Sequence, residues 1–76
     1  ETRIKAVVYP NPADGIVTIE SADLIRSMQV YDLSGSLIIS RYNLENNKET
    51  IDVSNLQSGV YLLRINGTST IKVTRK

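Results

Sequence analysis

The chain has 76 residues, 41% hydrophobic and 22% charged, a balance that supports a folded core in one small domain of thin stability margin. Cysteine and histidine are both absent, which removes a disulfide framework, nearly all zinc sites and every nucleophile that depends on thiolate or imidazole. Nine Lys or Arg against eight Asp or Glu give no long-range field that argues for nucleic acid.

Apolar and polar residues alternate in short runs separated by turn residues, the signature of half-buried strands. The first run, Ile4 to Tyr9, is β-branched and aromatic and stops at Pro10-Asn11-Pro12, where proline removes ladder donors. Asp14-Gly15 permits reversal into Ile16 to Glu20, with Val17 and Ile19 on one face, and Ser21 to Arg26 reads as a connection. Ser27 to Leu33 places Met28 and Val30 together, and Asp32-Leu33-Ser34-Gly35 supplies turn chemistry for a hairpin returning through Leu37 to Tyr42. Asn43 to Glu49 is polar and aperiodic, and reads as a loop into Thr50 to Val53.

Ser54 to Gly59 is a further break, within which Leu56 is expected to cover an end of the core. Val60 to Asn66 is apolar on both faces and reads as a central strand; Asn66-Gly67 then turns the chain into Thr70 to Lys76. No helical periodicity appears, and no run approaches the roughly 18 apolar residues of a membrane span. The pattern predicts an all-β fold, a seven-stranded antiparallel immunoglobulin-like β-sandwich over residues 1–76. Its predicted core is Val7, Tyr9, Val17, Ile19, Met28, Val30, Leu37, Ile39, Ile51, Val53, Tyr61, Leu63, Ile65, Ile71 and Val73.

Catalytic candidates are few. Asp14, Asp23, Asp32 and Asp52 all sit in or beside turns, where a carboxylate ordinarily accepts local backbone N–H groups. Asn43 to Asp52 lacks the ligand order and central Gly of a calcium loop, and the glycines lie at separate turns rather than in a phosphate cradle. Tyr9, Tyr31 and Tyr61 read as core or half-buried, while Tyr42, at a strand end, stays open as a stacking surface. Asn66-Gly67-Thr68 matches a glycosylation sequon, although its hairpin role accounts for it. No catalytic, cofactor or metal residue is assigned.

Four segments together resemble the C-terminal sorting domain of the type IX secretion system, the Por secretion system sorting domain of type A. They are Val8-Tyr9-Pro10-Asn11-Pro12 with Gly15, Val30-Tyr31-Asp32-Leu33-Ser34-Gly35, Leu56-Gln57-Ser58-Gly59-Val60-Tyr61-Leu62-Leu63-Arg64-Ile65, and Lys72-Val73-Thr74-Arg75-Lys76. Each is weak alone; together, in the family's order over nearly the whole chain, they are specific. The resemblance implies a single sorting domain on an exported cargo, passing the periplasm and ending at the cell surface or outside the cell. Its implied partners are the type IX translocon and shuttle proteins, and a surface sortase-like peptidase that removes the domain while joining cargo to anionic lipopolysaccharide. It implies no enzyme activity, no cofactor, no nucleic acid and no stable membrane insertion.

Within that resemblance Gly59, Tyr61, Lys72, Val73, Arg75 and Lys76 are the expected recognition residues, and Pro10, Asn11, Pro12, Gly15 and Gly35 the structural motif. The terminal strand is expected to offer free backbone groups and a cationic tip. Gly59 and Tyr61 have an equally direct reading as backbone relief and core filling. The alternative function is a carbohydrate-binding or adhesive accessory module of a secreted enzyme, with Tyr31 and Tyr42 as its aromatic surface; an inert stalk is a third. An exposed edge also allows a strand-exchanged homodimer.

Overall fold

The computed structural model describes residues 5–76, so Ile4, placed in the first strand by its sequence, lies outside the described residues. Seven strands follow in chain order: β1 (Ala6–Tyr9), β2 (Ile16–Ile25), β3 (Met28–Asp32), β4 (Leu37–Arg41), β5 (Asn46–Asp52), β6 (Gly59–Ile65) and β7 (Ser69–Arg75). They form two antiparallel sheets, ordered β1-β2-β5 and β4-β3-β6-β7. β6 lies between β3 and β7, as a strand apolar on both faces requires.

The core lies between the sheets. Val17, Ile19 and Ile25 of β2 and Ile51 of β5 meet Met28 and Val30 of β3, Leu63 and Ile65 of β6, and Val73 of β7. Ala13 and Val53 are buried with them, and Leu56 packs against the cluster from the β5–β6 connection, as its sequence position suggested. Each aliphatic side chain removed from water contributes about 1.5–3 kcal/mol before chain entropy is subtracted.

Three predicted core positions are corrected. Val7 is 60% exposed and Tyr9 41%, because the inward face of β1 is Ala6 and Val8. Lys5 precedes Val7 by one pleat period and is itself exposed, so alternation sends Lys5, Val7 and Tyr9 to water together. Tyr9 uses its hydroxyl to donate to the Glu20 carboxylate on that outer face. Leu37 is 51% exposed. Tyr31 pairs with Leu37 but Val30 pairs with Ile39, so Ile38 is the extra residue of a β-bulge that flips the faces and leaves Ile39 alone inward.

Two element boundaries also move. Ser21 to Arg26 is no simple connection: β2 bulges after Glu20 and resumes at Ile25, which is fully buried. Asn47 Nδ2 donates to the Ser21 and Ala22 carbonyls, both at 3.2 Å, and holds the bulge. The polar residues 46–49, read as loop, are the first half of edge strand β5, pairing with Ile25, Glu20 and Ile19.

Candidate functional site

The four motifs converge on one side and one end of the fold. After Tyr9 the chain leaves the β1 sheet through Pro10-Asn11-Pro12, with the Tyr9–Pro10 and Asn11–Pro12 peptide bonds both cis. It then lies along the outer edge of β7. Asn11 Nδ2 donates to Lys72 O at 3.0 Å, and Thr74 N donates to Asn11 Oδ1 at 2.9 Å. Ala13 N donates to Thr74 O at 2.7 Å and Lys76 N to Ala13 O at 2.8 Å, making a parallel bridge opposite Arg75. Pro10 and Pro12 donate nothing here, so the asparagine amide does the pairing the prolines cannot. The expectation of a free terminal edge is therefore corrected: from Lys72 to Lys76 the chain's own opening motif occupies it.

The expected recognition residues separate by role. Val73 is buried in the core. Arg75 turns to the end of the two sheets, where its Nε donates to Val53 O at 3.0 Å and its Nη2 to Ser54 O at 3.1 Å, with Nη1 3.7 Å from Asp14 Oδ1. Its planar fork fastens β7 to the β5–β6 connection. Lys72 and Lys76 remain exposed. The cationic tip thus consists of two lysines, with Arg75 committed to structure.

Gly59 opens β6 at φ +151, in a region that L side chains rarely adopt, although a Cβ there would meet no neighbour. Two residues on, Tyr61 packs against the core and its hydroxyl donates to Gln57 O at 2.6 Å, across the corner by which the chain enters β6. The Leu56-to-Tyr61 motif is in this way a corner device: apolar plug, backbone relief and a tyrosine strap. Gly15 accepts from Val53 N at 2.9 Å and ties the same connection to the start of β2.

At the same end, where Asp32 pairs with Tyr61, lies the Asp32–Ser36 turn. Asp32 Oδ1 accepts from Ser34 N at 3.0 Å, Ser34 Oγ at 2.7 Å and Ser36 N at 2.9 Å, while Gly35 adopts φ 93. The Ser34 hydroxyl first, and the Ser36 N–H next, hold the Asp32 carboxyl below its ordinary value. Asp52 is lowered by Ser54 in the same way. These aspartates are turn formers, as their positions suggested.

Asn66, at φ 56, does more than turn the β6–β7 hairpin. Its Oδ1 accepts from Arg26 N at 2.7 Å and Ser27 N at 3.2 Å, and its Nδ2 donates to Leu24 O at 3.0 Å. The sequon amide is thereby committed to the β2–β3 connection. Tyr31 is half-buried on the outer face of the four-stranded sheet, and Tyr42 is exposed at the far end of β4. Sequence reasoning missed the side-chain clamps of Asn11 and Asn66. The cue was present in each: an asparagine between two prolines, and one before glycine, are short amides placed where the backbone cannot bond itself.

The family described as the secretion system C-terminal sorting domain matches residues 7–76. A stretch of 61 residues is 34% identical to beta-agarase D of Zobellia galactanivorans, covering 80% of this chain and 12% of that protein. The chain therefore spans a small part of that relative's length, and the agarase name describes the relative. Sorting-signal domains are generally non-catalytic, and they engage the secretion machinery. With its motifs, its all-β architecture and a match across nearly its whole length, the chain belongs to the type IX secretion system C-terminal sorting domains, which mark secreted proteins for export to the cell surface or the extracellular space.

Proposed function

We propose that the signal is a folded surface, read by translocon and shuttle proteins in the periplasm, and that the chain performs no chemistry itself. The observation that carries this reading is the use of the motif residues. Asn11, Gly59, Tyr61 and Arg75 each hold a turn, corner or edge, so what they preserve is one shape rather than a reacting group. The fold we read as immunoglobulin-like: the strand order, the tyrosine strap at the corner before β6 and the parallel contact of the opening segment with the last strand all support it. Downstream, a sortase-like surface peptidase is proposed to take the domain as substrate and join its cargo to anionic lipopolysaccharide. The cargo is proposed to be a secreted protein carrying the activity, as the agarase relative carries its own.

The test is a reporter with a signal peptide and this chain as its tail, in a host that has the secretion system. Deleting Lys72 to Lys76 removes core residue Val73 and the Arg75 fork, so that variant reports on fold. Lys72→Glu with Lys76→Glu alters only exposed side chains and reports on recognition. Loss of surface delivery with the deletion is expected. Equal delivery with and without the whole tail would falsify the sorting role.

A further inference from the structure

We infer that β4 and the Asp32–Ser36 turn form the docking edge of this sorting tail, receiving an extended partner strand that is apolar opposite Leu37 and acidic opposite Arg41. The inference rests on the sorting reading and names the surface through which it acts.

Of the four sheet edges, three are defended. β1 is flanked by Lys5 and Pro10; β5 carries Lys48 and Glu49; β7 is covered by Asn11 and Ala13 from Lys72 onward. Charge, proline and coverage are the ordinary means by which sheets refuse additional strands. Before Arg41, β4 has no charge, proline or covering segment, and its one defence there is the Ile38 bulge. Among the described residues no strand lies beside its outer edge, and Leu37 and Ile38 are 51% and 41% exposed.

The adjoining surface is built for contact. Leu37 lies opposite Tyr31 and Tyr31 opposite Leu62, giving a short apolar row across the outer face that ends at Lys72, opposite Leu62. Beside it a groove of about 360 Å³ is lined by Tyr31, Leu33, Leu62 and Arg64. Leu33 is 69% exposed, yet it stands on a turn that the Asp32 carboxylate fixes through Ser34 and Ser36. A pre-organised apolar knob costs little ordering entropy when a partner covers it.

Charge selects the occupant. From Leu33 to Leu44 the single charged residue is Arg41. A second copy pairing its β4 antiparallel about Ile39 brings Leu37 against Arg41 and supplies no carboxylate. Arg41, Arg64 and Lys72 are all exposed, and the carboxylate of Asp32 is already occupied by its turn. The complementary partner is a strand with an acidic flank.

The probes are two synthetic peptides of about nine residues, alternating valine and threonine, one ending in two glutamates and the other in two lysines. Each is titrated into the ¹⁵N-labelled chain. The acidic peptide is expected to shift amides of β4 and the Asp32–Ser36 turn, with the basic peptide roughly tenfold weaker or more. Arg41→Glu should reverse that order, and Leu37→Glu should abolish binding while amide shifts in β6 stay unchanged. Shifts confined to β1, β5 or β7, no shifts, or an order unaffected by Arg41→Glu each overturn the proposal. So does a dimer in sedimentation that Leu37→Glu dissociates, since that gives the edge to a second copy. In the reporter assay, Leu37→Glu and Arg41→Glu should lower surface delivery. Normal delivery of both overturns the β4 assignment and leaves sorting intact; equal delivery without any tail removes the sorting role itself and the partner with it.

Discussion

Asn11 and Thr74 lie 63 positions apart in the chain, yet the Thr74 N–H donates to Asn11 Oδ1 at 2.9 Å while the other half of the amide reaches Lys72 O. One side chain thus imitates a strand partner for the last element of the fold. Asn11→Ala leaves both backbone groups to solvent and should cost about 1–3 kcal/mol. Against a total of roughly 4–11 kcal/mol expected for a domain of this size, that is a substantial fraction. Asn11→Asp keeps the acceptor but sets a carboxylate against Lys72 O, and should be no better than alanine. Thermal melts measure the loss, and sedimentation should show self-association of the alanine variant as the β7 edge opens.

Arg75 separates charge from geometry. Arg75→Lys retains the cation but loses the fork that binds Val53 O and Ser54 O together, so it should destabilise by about 1–3 kcal/mol. Lys72→Glu with Lys76→Glu should change stability by less than about 0.5 kcal/mol, since both side chains are exposed. The partner carboxylate of Asp14 is 82% exposed, so salt should weaken the arginine's contribution only slightly. Urea midpoints of the variants, with and without salt, decide the matter. An Arg75→Lys melt equal to the parent's would return Arg75 to the free cationic tip.

Tyr61→Phe removes a single oxygen, the donor to Gln57 O at 2.6 Å, and leaves the ring packed on the core. The expected loss is about 1 kcal/mol, or roughly 4–8 °C in melting temperature for a domain of this length. Tyr61→Ala adds the lost burial and should cost about 3–5 kcal/mol, enough to threaten folding. If the phenylalanine variant is delivered to the surface as well as the parent, the tyrosine acts through the fold alone.

The strands were legible because alternation needs only one buried face, and the misreadings arose where something else set the face. In β1, Lys5 decided the parity against Val7 and Tyr9. In β4 a bulge at Ile38 exchanged Leu37 for Ile39, and no residue type announces a bulge. In β2 the polar Ser21-Ala22-Asp23 interruption concealed that Ile25 returns to the core. The site was less legible than the fold, because the clamps of Asn11 and Asn66 join segments far apart in sequence. These corrections carry their own test. Ile25→Ala should cost about 2–5 kcal/mol, whereas Val7→Ala should stay within about 0.5 kcal/mol. Reversed magnitudes in chemical denaturation would restore the original assignment.

Acid is the remaining lever, and it acts through Asp32. The Ser34 hydroxyl and the Ser36 N–H favour its charged form, so its folded value lies below the ordinary 3.8. A depressed folded value means that the unfolded chain binds the proton more readily. The carboxylate's contribution is therefore complete above the unfolded value and is lost as pH falls from about 3.8 through the lower folded one. Asp52, lowered by Ser54, adds a parallel contribution of the same sign over the same window. Asp32→Asn cannot titrate, so its melting temperature should lie below the parent's at neutral pH and converge on it under acid. The gap should close first in the docking turn, visible as broadening of the Ser34 and Gly35 amides before β6 melts. A gap that persists unchanged at low pH would mean that Asp32 holds the turn by shape, and that its charge contributes nothing.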